Sequence, residues 1–211
     1  VLFDCDGVLA DSEHLINTIL AEDLTARGWR ISPEQARETF LGMAVSDMLP
    51  VLEARVGPLG PAWVAEMAAR IGRRMQAEVQ PVPGALEAVA AVRAAGIPIA
   101  CASNSGRVEL RAKIAALGLS AAFEGRLFSY EDVARPKPHP DLYLAAAAAC
   151  GAAPKDCVVV EDSLLGVRAG IAAGCRVLGF ARLTEASVLA AVGAETFADM
   201  AALPRLIGIA R

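Results

Sequence analysis

The sequence has no apolar run long enough to cross a bilayer. Its longest, LYLAAAAACGAA from Leu142 to Ala153, is about a dozen residues where a span needs roughly 20. A row of small alanines also suits close helix packing better than lipid contact. No signal-peptide pattern is visible. The chain opens directly on a strand-like run at Val1, so a few preceding residues are expected. There is no basic tract. The net charge is −4 with both signs interspersed, which argues against nucleic acid as the main partner. No CxxC occurs. The cysteines, Cys5, Cys101, Cys150, Cys157 and Cys175, are odd in number and scattered. They read as reduced thiols of a cytoplasmic protein, neither a disulfide framework nor a thiolate metal site. No internal repeat is evident. What remains is a chain of 211 residues, 55% apolar, with much of the apolar excess in alanine. That length suits one large domain, or a core with one insertion, and can bury a core without disulfides.

Four short apolar runs read as buried parallel strands: Val1–Phe3, Ile97–Ala102, Val158–Val160 and Val177–Phe180. Arg126–Ser129 is a weaker fifth. Helical segments alternate with them: Gly84–Ala95, Gly106–Leu117, Pro140–Cys150 and Ser163–Ala173. Glycine follows each of these: Gly96, Gly118, Gly151 and Gly174. This alternation predicts an α/β fold, a doubly wound parallel sheet covered on both faces. The stretch from Ser12 to Val79 breaks the rhythm. It offers no strand, only helical pieces near Glu13–Arg27, Pro33–Leu41, Ser46–Arg55 and Ala62–Glu78, punctuated by proline and glycine. The expectation is an all-helical domain of residues 12–79 inserted into an α/β core of 1–11 and 80–211, with hinges near Ala10–Ser12 and Val79–Pro83.

Ligands of open α/β sheets bind beyond the carboxyl ends of the strands. Asp4-Cys5-Asp6-Gly7 follows the first strand, Ser103-Asn104-Ser105-Gly106 the second, and Glu161-Asp162-Ser163 the third. Lys137 sits in the proline-stiffened loop Arg135-Pro136-Lys137-Pro138-His139-Pro140. Carboxylates this close repel unless a cation lies among them. Oxygen-only ligands favour a hard ion, and Mg²⁺ is the ordinary choice beside phosphate. With a lysine and a hydroxyl to bind phosphate oxygens, the set has the parts of a phosphoryl-transfer site. Taken singly, each has a bland alternative: turn caps for the aspartates, a helix cap for Ser103 and Asn104, a solvated lysine for Lys137.

Together, DCDGVLADSE, ASNS, KPHPD and VVVEDSLLG resemble the haloacid dehalogenase superfamily of aspartate-nucleophile phosphatases. The likeness is to the branch with a helical cap after the first motif, which includes the β-phosphoglucomutase-like phosphatases. The motifs occur in the family's order and span essentially the whole chain. The resemblance implies that Asp4 attacks phosphorus to form an aspartyl-phosphate. Asp6 donates a proton to the leaving alcohol and then takes one from the attacking water. Mg²⁺ is held by the Asp4 carboxylate, the Asp6 backbone carbonyl and the Asp162 carboxylate, with Glu161 acting through water or orienting that shell. Ser103, the Asn104 backbone and Lys137 grip the phosphoryl group, and Gly7 lets the chain turn closely around it.

Mutase relatives carry a cap histidine that would fall at Ile16 and basic residues that would fall at Leu41 and Val45, all apolar here. Hydrolysis of a small phosphorylated metabolite (a sugar, sugar-acid or sugar-alcohol phosphate) is therefore expected ahead of a phosphosugar mutase. A non-enzymatic phosphometabolite-binding protein is the further alternative. Some of the cap arginines are candidates for recognising a carboxylate or second phosphate; most are read as solvated. Trp29 and Trp63 read as cap packing, His139 as structural, and the protein as a monomer or weak homodimer.

Overall fold

The computed structural model describes residues 1–209. Strand β1, Leu2–Phe3, is followed by a tight loop and β2, Ala10–Asp11. Four helices come next: α1, Glu13–Ala26; α2, Pro33–Phe40; α3, Val45–Val56; and α4, Gly60–Glu78. The chain then returns through β3, Gln80–Pro81, which pairs antiparallel with β2. Both expected hinges thus meet in one small ladder. Alternation follows: α5, Ala85–Ala94; β4, Ala100–Ser103; α6, Arg107–Ala116; β5, Leu127–Ser129; α7, Asp141–Ala149; β6, Val158–Glu161; α8, Leu164–Ala172; and β7, Arg176–Phe180. Short α9, Ala186–Ala190, β8, Glu195–Phe197, and α10, Leu203–Leu206, close the described chain.

Six strands form one parallel sheet in the order β5-β4-β1-β6-β7-β8. From β1 the chain first builds towards β5, then crosses back to β6, so strand order reverses at the β1/β6 boundary. That is where an open α/β sheet leaves a crevice. Both faces are covered. On one, Leu142, Tyr143 and Ala146 of α7 and Val167 of α8 pack over Leu2, Ala100 and Val159. On the other, Phe3 and Cys101 lie under Val89 and Ile114, and this cluster continues into the helical insertion through Trp63, Met67 and Met75.

Local signals explain the element ends. Ser32 caps α2 with a reciprocal Gln35 bond, and Pro33 sits in its first turn. Ser163 caps α8 by accepting from the Gly166 N–H. In α4, Trp63, Met67, Ile71 and Met75 recur every fourth residue and form its buried face. The expected strand at Ile97 starts later, at Ala100, because Pro98 has no N–H for a ladder. Strand β8 and the β2/β3 ladder were not foreseen. Among the described residues, no helix is long and apolar enough to cross a membrane.

Candidate active site

The loop after β1 brings Asp4 and Asp6 over the crevice, and the end of β6 brings Glu161 and Asp162 beside them. Gly7 turns the first loop at φ 76°, and a Cβ there would run into the Asp162 carboxylate. Only glycine combines this backbone with that approach. The structure gathers Asp4, Asp6, Ser103, Asn104, Lys137, Glu161 and Asp162 around a single cavity of about 160 Å³.

Lys137 is buried, and its Nζ donates to Asp4 Oδ1 at 2.5 Å and to Glu161 Oε1 at 2.7 Å. Burial works against the ammonium, but Asp4 and Glu161 hold its pKa well above the usual lysine value. Its charge also lies 4.7 Å from the Tyr143 ring, whose hydroxyl donates to Glu161 Oε1 at 2.9 Å. The other Glu161 oxygen accepts from the Asp162 and Ser163 amides, both at 2.9 Å, and from Ser163 Oγ at 3.0 Å. Glu161 is thus saturated by the protein and fixes its neighbours. The Asn104 side chain does similar work. It accepts from the Lys137 amide at 2.9 Å and donates to the Lys137 carbonyl at 3.1 Å and to the Gly42 carbonyl at 2.8 Å. It therefore ties the lysine loop to the turn between α2 and α3.

Asp6 is held by Ser103 and by three side chains that the sequence did not single out for the site, Ser12, Ser105 and Lys113. Its Oδ1 accepts from Ser12 Oγ and from Lys113 Nζ. Its Oδ2 accepts from Ser105 Oγ at 2.7 Å and Ser103 Oγ at 3.2 Å. Lys113, fully buried on α6, also donates to Glu109 and Ser105. Burial alone would raise the Asp6 pKa, but the Lys113 charge and these donors bring it below the usual carboxylate value. Ser103, expected at a phosphoryl oxygen, here turns its hydroxyl to Asp6.

The donor set fits a hard divalent cation. Asp4, Glu161 and Asp162 place carboxylate oxygens within 4.8 Å of one another. Asp162 Oδ2 is buried and has no hydrogen-bond partner. Burial, then Glu161 and Asp4, push the Asp162 carboxyl well above its usual range. Burial also pushes Asp4 up to about 7, with Lys137 pulling the other way. A buried cluster of oxygens that resists ionisation, one of them unpaired, calls for a positive charge. Since the Glu161 oxygens are already engaged, Asp4 and Asp162 are the freer ligands.

Above this polar floor, the helical insertion supplies a wall. Ile16, Leu41 and Val45, the positions where a mutase was expected to carry a histidine or basic residues, all line the cavity and bring no charge. Trp63, read as packing alone, lines it too; its Nε1 donates to Asp23 at 2.8 Å, so the ring faces the cavity without a free N–H. Trp29 packs edge-on to Phe40 beneath Arg55, and His139 is exposed.

A family model described as haloacid dehalogenase-like hydrolase matches residues 1–174. Over 208 residues the chain is 28% identical to a 6-phosphogluconate phosphatase of Escherichia coli, covering 98% of this chain and 93% of that one. It is 32% identical over 185 residues to hexitol phosphatase A of the same organism, covering 84% and 80%. The crystal structure of a hydrolase from Deinococcus radiodurans R1, solved with bound phosphate and sodium, matches with a TM-score of 0.75. It is 33% identical and covers 97% of this chain and 93% of that one.

Proposed function

Because the chain belongs to the haloacid dehalogenase-like hydrolase family and is a phosphoric monoester hydrolase, we propose that it is a Mg²⁺-dependent phosphatase of a small phosphorylated metabolite that works through an aspartyl-phosphate on Asp4. One observation carries this reading: Lys137 Nζ bridges Asp4 and Glu161, while the unpartnered oxygen of Asp162 lies on the same buried floor. Names of relatives support a sugar, sugar-acid or sugar-alcohol phosphate as the starting panel.

The Asp4 carboxylate attacks phosphorus, with Lys137 against it to offset charge on the equatorial oxygens. The Asn104 backbone and Ser103, once its hydroxyl swings from Asp6 to a phosphoryl oxygen, complete the phosphoryl cradle. The Asp4 and Asp162 carboxylates and the Asp6 backbone carbonyl would hold Mg²⁺, with Glu161 behind them, and bound there the ion would draw charge off the transferring group. Asp6, kept ionised by Lys113, is ready to take a proton from the attacking water. To protonate the leaving alcohol in the first step it must turn away from Lys113 and take up a proton from solvent; it then takes a proton back from the attacking water. Residues 12–79 act as the cap, swinging on the paired segments Ala10–Asp11 and Gln80–Pro81. The apolar Ile16, Leu41 and Val45 offer a mutase no base or cation and favour hydrolysis. The free cysteines, four of them buried, support a reduced, cytoplasmic setting.

The test is phosphate release with Mg²⁺ and with EDTA, in the wild type and Asp4→Asn. Metal-dependent release that disappears in the variant is expected. Wild-type rates in Asp4→Asn would remove the nucleophile, and activity surviving EDTA would remove the metal.

A further inference from the structure

We propose that this site selects phosphate monoesters whose alcohol has a compact, uncharged, apolar body, and disfavours those carrying a second phosphate or a carboxylate. The inference rests on the phosphatase reading of the same site. It comes from what the helical insertion turns towards the crevice. Ile16 of α1, Val45 and Met48 of α3, and Trp63, Met67 and Ile71 of α4 all line the cavity. A leaving alcohol bonded to a phosphoryl group on Asp4 must lie between that floor and this wall.

Two absences around the cavity sharpen the point. First, among its lining residues Lys137 is the sole cation, and it is committed to Asp4 and Glu161. Four cap arginines are engaged elsewhere. Arg37 donates to the Leu183 carbonyl, Arg55 lies over Trp29, Arg70 pairs with Glu22 and Arg74 with Glu78. Beyond the floor, the acidic side chains that reach the cavity are Glu13, whose carboxyl burial pushes up to about 7, Glu109, which pairs with Lys113, and Glu131, which pairs with Arg107. A second anion on the substrate would be desolvated without a partner, beside carboxylates.

Second, few polar groups on the cap are free to recognise hydroxyls. Asn17 Nδ2 donates to the Glu13 carbonyl at 2.7 Å and to Glu13 Oε2 at 3.0 Å. The Trp63 N–H is taken by Asp23. On the cap a polyhydroxylated chain would find mostly methyl, thioether and indole surface, with Glu13 and Asn17 the polar side chains that line the cavity there. An apolar body would bury against the same surface favourably.

The test compares monoesters of primary alcohols, whose similar leaving groups let the wall decide: cyclohexylmethyl phosphate, glucose 6-phosphate, 6-phosphogluconate and fructose 1,6-bisphosphate. Each is assayed with Mg²⁺, using wild type and Asp4→Asn. The expected result is a kcat/KM for cyclohexylmethyl phosphate at least about tenfold above the other three. Release that needs Asp4 but ranks any of the other three within that margin or above it overturns this inference and leaves the phosphatase intact. No release from any ester, or release undiminished in Asp4→Asn, overturns the phosphatase reading and the inference with it. Val45 is only partly buried and so has room for a longer side chain. Val45→Arg should raise kcat/KM for 6-phosphogluconate relative to cyclohexylmethyl phosphate by about tenfold. An unchanged ratio in the folded variant would place the alcohol away from this wall and overturn the proposal. The wild-type ranking decides it whether or not that variant folds.

Discussion

Lys113→Met should destabilise the protein by about 3–5 kcal/mol, the usual cost of removing one partner from a buried ion pair. Lys113 has no exposed surface, and its ammonium contacts Asp6, Glu109 and Ser105. The Asp6 and Glu109 side chains are only 16% and 10% exposed, so water can do little to replace the lost cation. Methionine fills the volume but leaves two carboxylates facing each other. Glu109→Gln, which leaves the Lys113–Asp6 pair in place, should cost only about 1 kcal/mol. Lys113→Met combined with Glu109→Gln should recover part of the loss, because one of the two stranded charges is gone. Urea unfolding at equilibrium reads all three. The pH dependence follows from the shifts. Burial opposes the Lys113 charge, but Asp6 and Glu109 raise its pKa well above 10.5. Its contribution is therefore fully present below that value and fades only as pH rises through the higher folded pKa. The lowered Asp6 pKa makes its own share present above 3.8 and lost as pH falls through the folded value. The gap between wild type and Lys113→Met should thus narrow as pH falls, because without Lys113 burial raises the pKa of the Asp6 carboxyl and the folded variant takes up the proton that relieves the stranded charge. A variant within about 1 kcal/mol of wild type would refute the reasoning, since that is the worth of a solvated pair.

Three further outcomes follow from the site. Gly7→Ala forces a side chain onto a φ of 76° and into the Asp162 carboxylate. It should cost about 1–3 kcal/mol of stability and raise the Mg²⁺ concentration needed for half-maximal activity; an unchanged metal requirement would break the link between Gly7 and Asp162. Tyr143→Phe removes the 2.9 Å hydroxyl bond to Glu161 and leaves the ring under Lys137. Urea unfolding should show a loss of about 2 kcal/mol, and a loss below about 0.5 kcal/mol would mean that bond contributes little. Asn104→Ala frees the Lys137 loop and the Gly42 carbonyl together. Steady-state kinetics should show kcat/KM falling by about tenfold to a hundredfold, and wild-type kinetics would mean that Lys137 is positioned without it.

The parts of this molecule that were legible in the sequence share one property: their signal is local. Val158–Val160 is an apolar run that gives way to Glu161 and Asp162, and it forms most of β6. Gly118 follows a helical pattern, and α6 ends just before it. Asp4, Asp6, Glu161 and Asp162 follow strand-like runs, so the strand ends alone were enough to bring them together. The β2/β3 ladder has no such signal. Ala10–Asp11 and Gln80–Pro81 become strands only because the insertion returns the chain to its starting point. Strand β8 keeps two of its three side chains exposed and pairs at the sheet edge, where no apolar run is required. The same contrast governs the site. Glu109 and Lys113 are an i,i+4 pair of opposite charge, a pattern that on most helices marks a solvated face. Here α6 turns that face under Asp6, where both side chains are buried. Tyr143 stands among the alanines of α7 as one more packing residue until the sheet register carries Glu161 to its hydroxyl. The residues that bear charge at strand ends could be read directly. Those that set the charge state and orientation of these groups depend on contacts between distant segments, 107 residues apart for Lys113 and Asp6, and only the folded chain puts them in place.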